Sequence, residues 1–331
     1  TTQLASLTTT TLSQLAPTQW TGLRGAQLSA LSSETMASLS SVQVGSLTTV
    51  QIADLSSTAL GNISSSALAG MSTQLIAALT TLQIASLSTA DFNVLTTRQI
   101  AALETRDLAV LSSNNIQALS TSQLKALSSQ QIKALSADNL VGLTTELLAS
   151  MNSSQLRALT SSQVAGLNTL QVSSLSTGAI KNLLTSQIAA LETRDVVTLS
   201  SVQLGALSNL QIQALSSSQL NALTSNQVPY LSTLQISQLT SGQLTKLDAT
   251  RLNGLSTTVL AGLSGSFVKT LTTAQVAGLN TQSIAKLNST AFASLTEAQI
   301  SALNTDQVSN LSIAAIKALT TAQINAIEST D

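Results

Sequence analysis

The side chains here that could do chemistry are mostly hydroxyls, accompanied by 13 lysines and arginines and 14 acids. A serine or threonine becomes a nucleophile only when a neighbouring base takes its proton. The sequence has no histidine and no cysteine. That removes histidine acid–base catalysis, disulfides and the usual zinc ligand sets. A lysine or carboxylate base in a cleft would remain, and no such constellation stands out from the surrounding pattern. The densest charge clusters are Glu104, Arg106 and Asp107, and again Glu192, Arg194 and Asp195. Read as a site, each is a weak set of cation ligands. Read as structure, they are first-turn helix charges and surface pairs worth about 0–1 kcal/mol, and this is the reading adopted. The sequence predicts no catalytic, cofactor-binding or metal-ligating residue, and no enzyme.

The elements that carry these side chains follow one rule. Counting in eights from Leu7 to Ile327 gives 41 positions, of which 37 are Leu; the others are Ile63, Met71, Met151 and Ile327. Five residues after each leucine, wherever the chain extends that far, stands another apolar residue, from Leu12 and Trp20 to Ile316 and Ile324. With the leucine as position one, the octad runs Leu, Ser/Thr, Ser/Thr, any, Gln, Ile/Leu/Val, any, small, as in Leu95 to Ala102. Position two is Ser, Thr, Asn or Asp in 35 octads of 41, and position five is Gln in 22. Ser or Thr followed three residues later by Gln is a capping box. It makes position one N′ and position six N4, the two places a hydrophobic staple requires.

Charge placement selects the same frame. Of the 14 acids, 13 fall at positions two to five, Asp54 being the exception, and all seven lysines fall at positions seven or eight. Acids at the start and bases at the end are what a helix dipole favours, by about 0.3–1 kcal/mol each. Pro17 sits at the first helical position, where its missing N–H is harmless. Each octad is therefore expected to form one short helix over positions three to eight. The rival is a β-solenoid, but period-2 alternation would send positions one and six to opposite faces. In a helix, position six and the next position one are i and i+3 on one face. Pro229, at position seven, is awkward for the helix.

A six-residue helix is too short to stand alone. Each octad must lean on its neighbours, and the fold class expected is all-α. Residues 1–331 would form a single elongated solenoid of about 41 octads with position-one and position-six columns as its core. Seven of the 14 glycines lie at position eight, where small side chains would allow close approach. Alternation of Ile with Leu at position six from Ile84 to Leu140 suggests two octads per superhelical turn. Residues 1–30 are the least regular, with Pro17, Trp20, Arg24 and Gly25, and read as a drifted repeat or a cap. A second irregularity spans Gly262 to Lys269, where Phe267 replaces the glutamine. Ile100 to Asp107 recurs almost unchanged at Ile188 to Asp195, as block duplication would produce.

The runs Leu271 to Gly278 and Leu319 to Ala326 resemble the Leu-Thr-Thr-x-Gln-Ile-x-Ala repeats of very large bacterial surface proteins of adhesin-like or one-step-exported type. The resemblance implies an extracellular or cell-surface location and a structural or adhesive role. The glycine- and aspartate-rich calcium repeats common in such exported proteins are absent, which removes the expectation of calcium-dependent folding.

Composition narrows the partners. Charged residues make up 8% of the chain and the net charge is −1, so no basic stripe exists to neutralise nucleic-acid phosphates. No apolar run approaches a membrane span. Ends without a polar capping repeat would let one molecule stack on the next, giving a head-to-tail homopolymer. The expected function is an extracellular structural protein: a subunit of a self-assembling filament, fibre or sheath, or the stalk of a bacterial adhesin. The alternative is a Ser/Thr-array binding module for cell-surface glycans or ice.

Overall fold

The structure is a computed structural model that describes residues 8–327. Contacts divide the chain into two compact units, Thr1–Leu167 and Asn168–Asp331. Among the described residues there are 39 α-helices of four to six residues and one 3-10 turn, and no strand. The helical expectation holds in both units, in a repeated solenoid-like arrangement.

The local logic is visible in Thr97–Ala102. The N-cap Thr96 is extended (φ −71°, ψ 160°) and its hydroxyl accepts from the Gln99 N–H. The helix then stops at Leu103, which is also extended (φ −60°, ψ 138°). Two extended residues, positions one and two, make each corner. Orphan backbone groups appear at both ends of such a short helix, and every octad must satisfy them afresh.

Within the first unit, Thr49–Asp54, Thr73–Ala77, Thr97–Ala102, Thr121–Ala126 and Thr145–Ser150 stack one on another. Within the second, Asn209–Ala214, Thr233–Ser237, Thr257–Ala261, Thr281–Lys286 and Thr305–Ser309 do the same. Within each unit these helices thus rest on the third helix before them, and one coil is three octads. This corrects the expectation of two octads per turn. The two-residue corner bends the chain too little for two corners to bring it back over itself. Alternation of Ile and Leu at position six carries no such information, because the two side chains have nearly equal volume and exchange readily.

Positions one and six form the core in both units, as with Leu95, Ile100, Leu103 and Leu108, all at most 4% exposed. Trp20 also lies there, wholly buried at position six of Pro17–Trp20. Position eight packs on position three of the turn beneath. A β-carbon on Gly70 would come within 2.6 Å of Ser41, and one on Gly278 within 2.6 Å of Ala249. All these glycines have negative φ, so what they supply is room. The register also runs the other way. Asp54, the one acid outside the pattern, lies at position eight above Gly25, where an added β-carbon would collide with Asp54 Cβ. Gly265 makes the same room for Ser294.

Pro229 changes its octad as its chemistry requires. With no N–H at position seven, the α-helix is replaced by the 3-10 turn Val228–Tyr230, in which the Tyr230 N–H donates to the Gln227 carbonyl at 3.1 Å. Phe267 leaves its helix intact: Gly265–Thr270 is regular, with the Phe267 ring buried.

Candidate functional site

Position five holds the polar side chains that the core does not exclude. From Gln43 onward its glutamines are buried: Gln83 and Gln171 are 1% exposed, Gln211 is 2%. A buried amide must bond through both ends or pay its desolvation in full. The oxygen caps its own helix, as Gln83 Oε1 accepts from the Thr80 N–H at 2.7 Å. The nitrogen reaches down a turn. Gln83 Nε2 donates to the carbonyls of Ile52 and Leu55, both at 2.7 Å, which are 31 and 28 residues earlier. Gln123 does the same to Phe92 and Leu95, and Gln155 to Leu124 and Leu127. In the second unit Gln211 donates to Ile180 and Leu183, and Gln299 to Val268 and Leu271. Each amide therefore satisfies the N-terminus of one helix and the C-terminal carbonyls of the corner below.

Where position five is not glutamine, other side chains supply part of this. Asn115 and Asn139 donate to Leu87 and Leu111, again 28 residues earlier. Arg251 Nε donates to Leu223 at 3.1 Å while its Nη1 bonds Asp248. Ala291 has no donor, and the N-cap Asn288 instead sends its Nδ2 to the carbonyls of Ala261 and Leu263. The capping box was expected from the sequence; the buried amide's second partner was not. The missed signal is the burial of position five itself, since a helix with apolar N′ and N4 turns N3 partly inward.

In the described α-helices the position-two hydroxyls are occupied as caps, and at Thr224 the hydroxyl instead donates to Gln227 Oε1. Those of position three, which the binding-module alternative needs, lie beneath position eight of the turn above and are often half-buried, as at Ser113, Thr121 and Ser129. Open grooves do occur on the surface. One, bordered by Gly265, Ser266, Lys269, Ser294, Glu297 and Thr320, brings a single lysine and a single glutamate together.

The charge clusters divide in the structure. Arg106 Nε pairs with Glu104 Oε2 at 2.8 Å and Arg194 Nε with Glu192 Oε2 at 2.7 Å, all well exposed. These are the surface pairs expected. Asp107 and Asp195 are not surface residues: their side chains are 0% exposed. Burial pushes both carboxyls up from the ordinary aspartate range, against the lowering effect of the bonds from the Glu104 and Glu192 N–H groups and of Arg106 and Arg194. Among the described residues no three acidic, histidine or cysteine side chains gather as a metal site. Nor is any described helix long and apolar enough to cross a membrane.

A family model described as the ALTTAQ repeat matches the chain at residues 76–105, 100–137, 188–225 and 196–233. This is a repeat protein. Two of the matches begin at Ile100 and Ile188, the starts of the duplicated block. The matched stretches, less than half the chain, carry Gln, Asn or Asp at every position five. No curated protein matches it.

Proposed function

We propose that the chain is an extracellular structural protein, built to extend and hold a shape as a subunit of a filament, fibre or sheath, or as the stalk of a bacterial adhesin. The observation that carries this reading is the sameness of the contact between turns. Wherever Gln83, Gln123, Gln211 or Gln299 stands, the same amide bonds the same two carbonyls of the turn below. Contacts between turns that repeat with only scattered substitutions suit length and stiffness, and stability then sums over neighbours. They also suit self-association, because one turn's lower surface matches another's upper surface, a heterologous contact that propagates. The partner of the chain in this reading is itself. Its location is the cell surface or the extracellular space, in keeping with the octads' likeness to bacterial surface repeats.

Electron microscopy of the purified chain at physiological salt tests this. Long uniform filaments, or straight rods of one length, are the expected images. Rounded particles with no long axis would overturn it.

A further inference from the structure

Asp107 stands where most octads place an amide, and half of the amide's work is done. Its Oδ2 accepts from the Glu104 N–H at 2.9 Å, as a glutamine oxygen would. Its Oδ1 is buried and has no hydrogen-bond partner. The nearest cation, Arg106 Nε, is 3.8 Å from Oδ1 and is held by Glu104 at 2.8 Å. Asn115 and Asn139 show what this atom faces. Asparagine has the length of aspartate, and both donate from position five to the leucine carbonyl 28 residues earlier. In the same register, 28 residues before Asp107, comes the carbonyl of Leu79. Two buried acceptors facing one another need a hydrogen between them.

Asp91 shows the other solution. There Ser65, 26 residues earlier, donates its hydroxyl to Oδ1 at 2.7 Å, and Oδ2 takes the Ser88 N–H and hydroxyl. Thr81, at that offset from Asp107, leaves Oδ1 unbonded. Asp195 repeats the Asp107 arrangement: Oδ2 accepts from the Glu192 N–H at 3.1 Å, Oδ1 has no partner, and Arg194 is 4.0 Å away.

We propose that Asp107 and Asp195 are proton-binding sites: each buried carboxyl is held as the neutral acid, and the Asp107 hydroxyl donates to the Leu79 carbonyl in place of a glutamine amide. Ionisation puts an unpaired charge against that carbonyl, so the solenoid tightens in acid and loosens as the pH rises. The surroundings agree. The charged groups beside Asp107 on its own helix are Glu104 and Arg106. Packed below is Thr81–Ser86, with no titratable residue, and above is Ser129–Ala134, with the solvent-exposed Lys133. Asp195 has Glu192 and Arg194 beside it, with none on Thr169–Ser174 or Ser217–Ala222. Desolvation is the largest influence on both carboxyls and raises them.

The folded chain keeps two protons that the unfolded chain releases above about pH 4, the ordinary aspartate value. Stability from these sites is complete below that pH and is lost as the pH climbs through the raised folded values. The test is thermal unfolding of the whole chain from pH 3 to 8 (roughly the span around the ordinary carboxylate range), for the natural sequence and for D107N/D195N. The natural chain should lose midpoint temperature with rising pH and release protons on unfolding. The double variant should melt several degrees higher at neutral pH and lack that proton release. Carbon-13 NMR of the two carboxyls reads the same property directly, even if the variant fails to fold. Titration of both at the ordinary value, or parallel melting curves, would overturn the proposal. So would stabilisation by magnesium or calcium at neutral pH that the double variant lacks, which would make the missing partner a metal ion.

Discussion

Two stretches of the molecule build the same coil with different chemistry at position five. In the second unit, six successive octads carry Gln203, Gln211, Gln219, Gln227, Gln235 and Gln243, and each donates to the turn below. In the first unit, one full coil carries Ala59, Ala67 and Leu75 there, all at most 4% exposed. The caps of that coil persist, since Ser56, Ser64 and Ser72 still accept from their N3 amides. Yet alanine and leucine have nothing to donate to the carbonyls of Leu31, Leu39 and Leu47, which occupy the same register. Two of the four non-leucine residues at position one, Ile63 and Met71, also fall in this coil. The comparison separates two roles. Apolar columns and caps suffice to form the coil, and the amide ties one coil to the next.

That separation is testable at single residues. The largest effect should come from Gln211→Glu, which sets a carboxylate against the Ile180 and Leu183 carbonyls in a 2%-exposed site. Leaving a buried charge unpaired costs about 3–5 kcal/mol, and chemical denaturation at pH 7 and in acid should show the loss shrinking as the new carboxyl is protonated. Gln211→Ala imitates the amide-free coil and should cost about 1–3 kcal/mol by leaving buried carbonyls unmet. Its counterpart, Ala67→Gln, should gain no more than about 1 kcal/mol. Amide hydrogen exchange should report the pair as slower exchange at 199–243 than at 56–79 in the natural chain. A reversed order would refute the role given to the amide. The smallest effect concerns the caps. At Leu184 the N-cap N–H is met by Gln187 Oε1 at 2.6 Å, but leucine offers no acceptor in return. Leu184→Ser completes the box and should raise stability by about 0.5–1 kcal/mol, read from the denaturation midpoint.

Much of this was written in the octad itself. Helix, cap, staple and charge order all act within one repeat, so Thr96, Gln99 and Leu103 reveal them without any knowledge of the fold. What escaped was everything that spans coils. The carbonyl partners of Gln83 belong to Ile52 and Leu55, a whole coil away. In a sequence where every octad looks alike, no pattern marks one octad rather than another as the neighbour. For the same reason the number of octads per coil could not be read. Asp107 escaped differently: as a residue type it suits a helix's first turn, and only the burial of position five turns it from a surface charge into a site.

The pairing of position eight with position three of the coil beneath has a bearing on how such an array can change length. Nearly every octad offers the same surfaces, so excising one octad would let each remaining octad find a new neighbour of the same kind. The matched pairs are the exceptions. Removing one octad between Gly25 and Asp54 would slide Asp54 off its space and bring Asn62 over Gly25 instead. A deletion lying wholly outside such a pair would leave it intact. Size-matched pairs therefore act as register marks, recording the present alignment in an array whose other parts would accept a slip of one repeat.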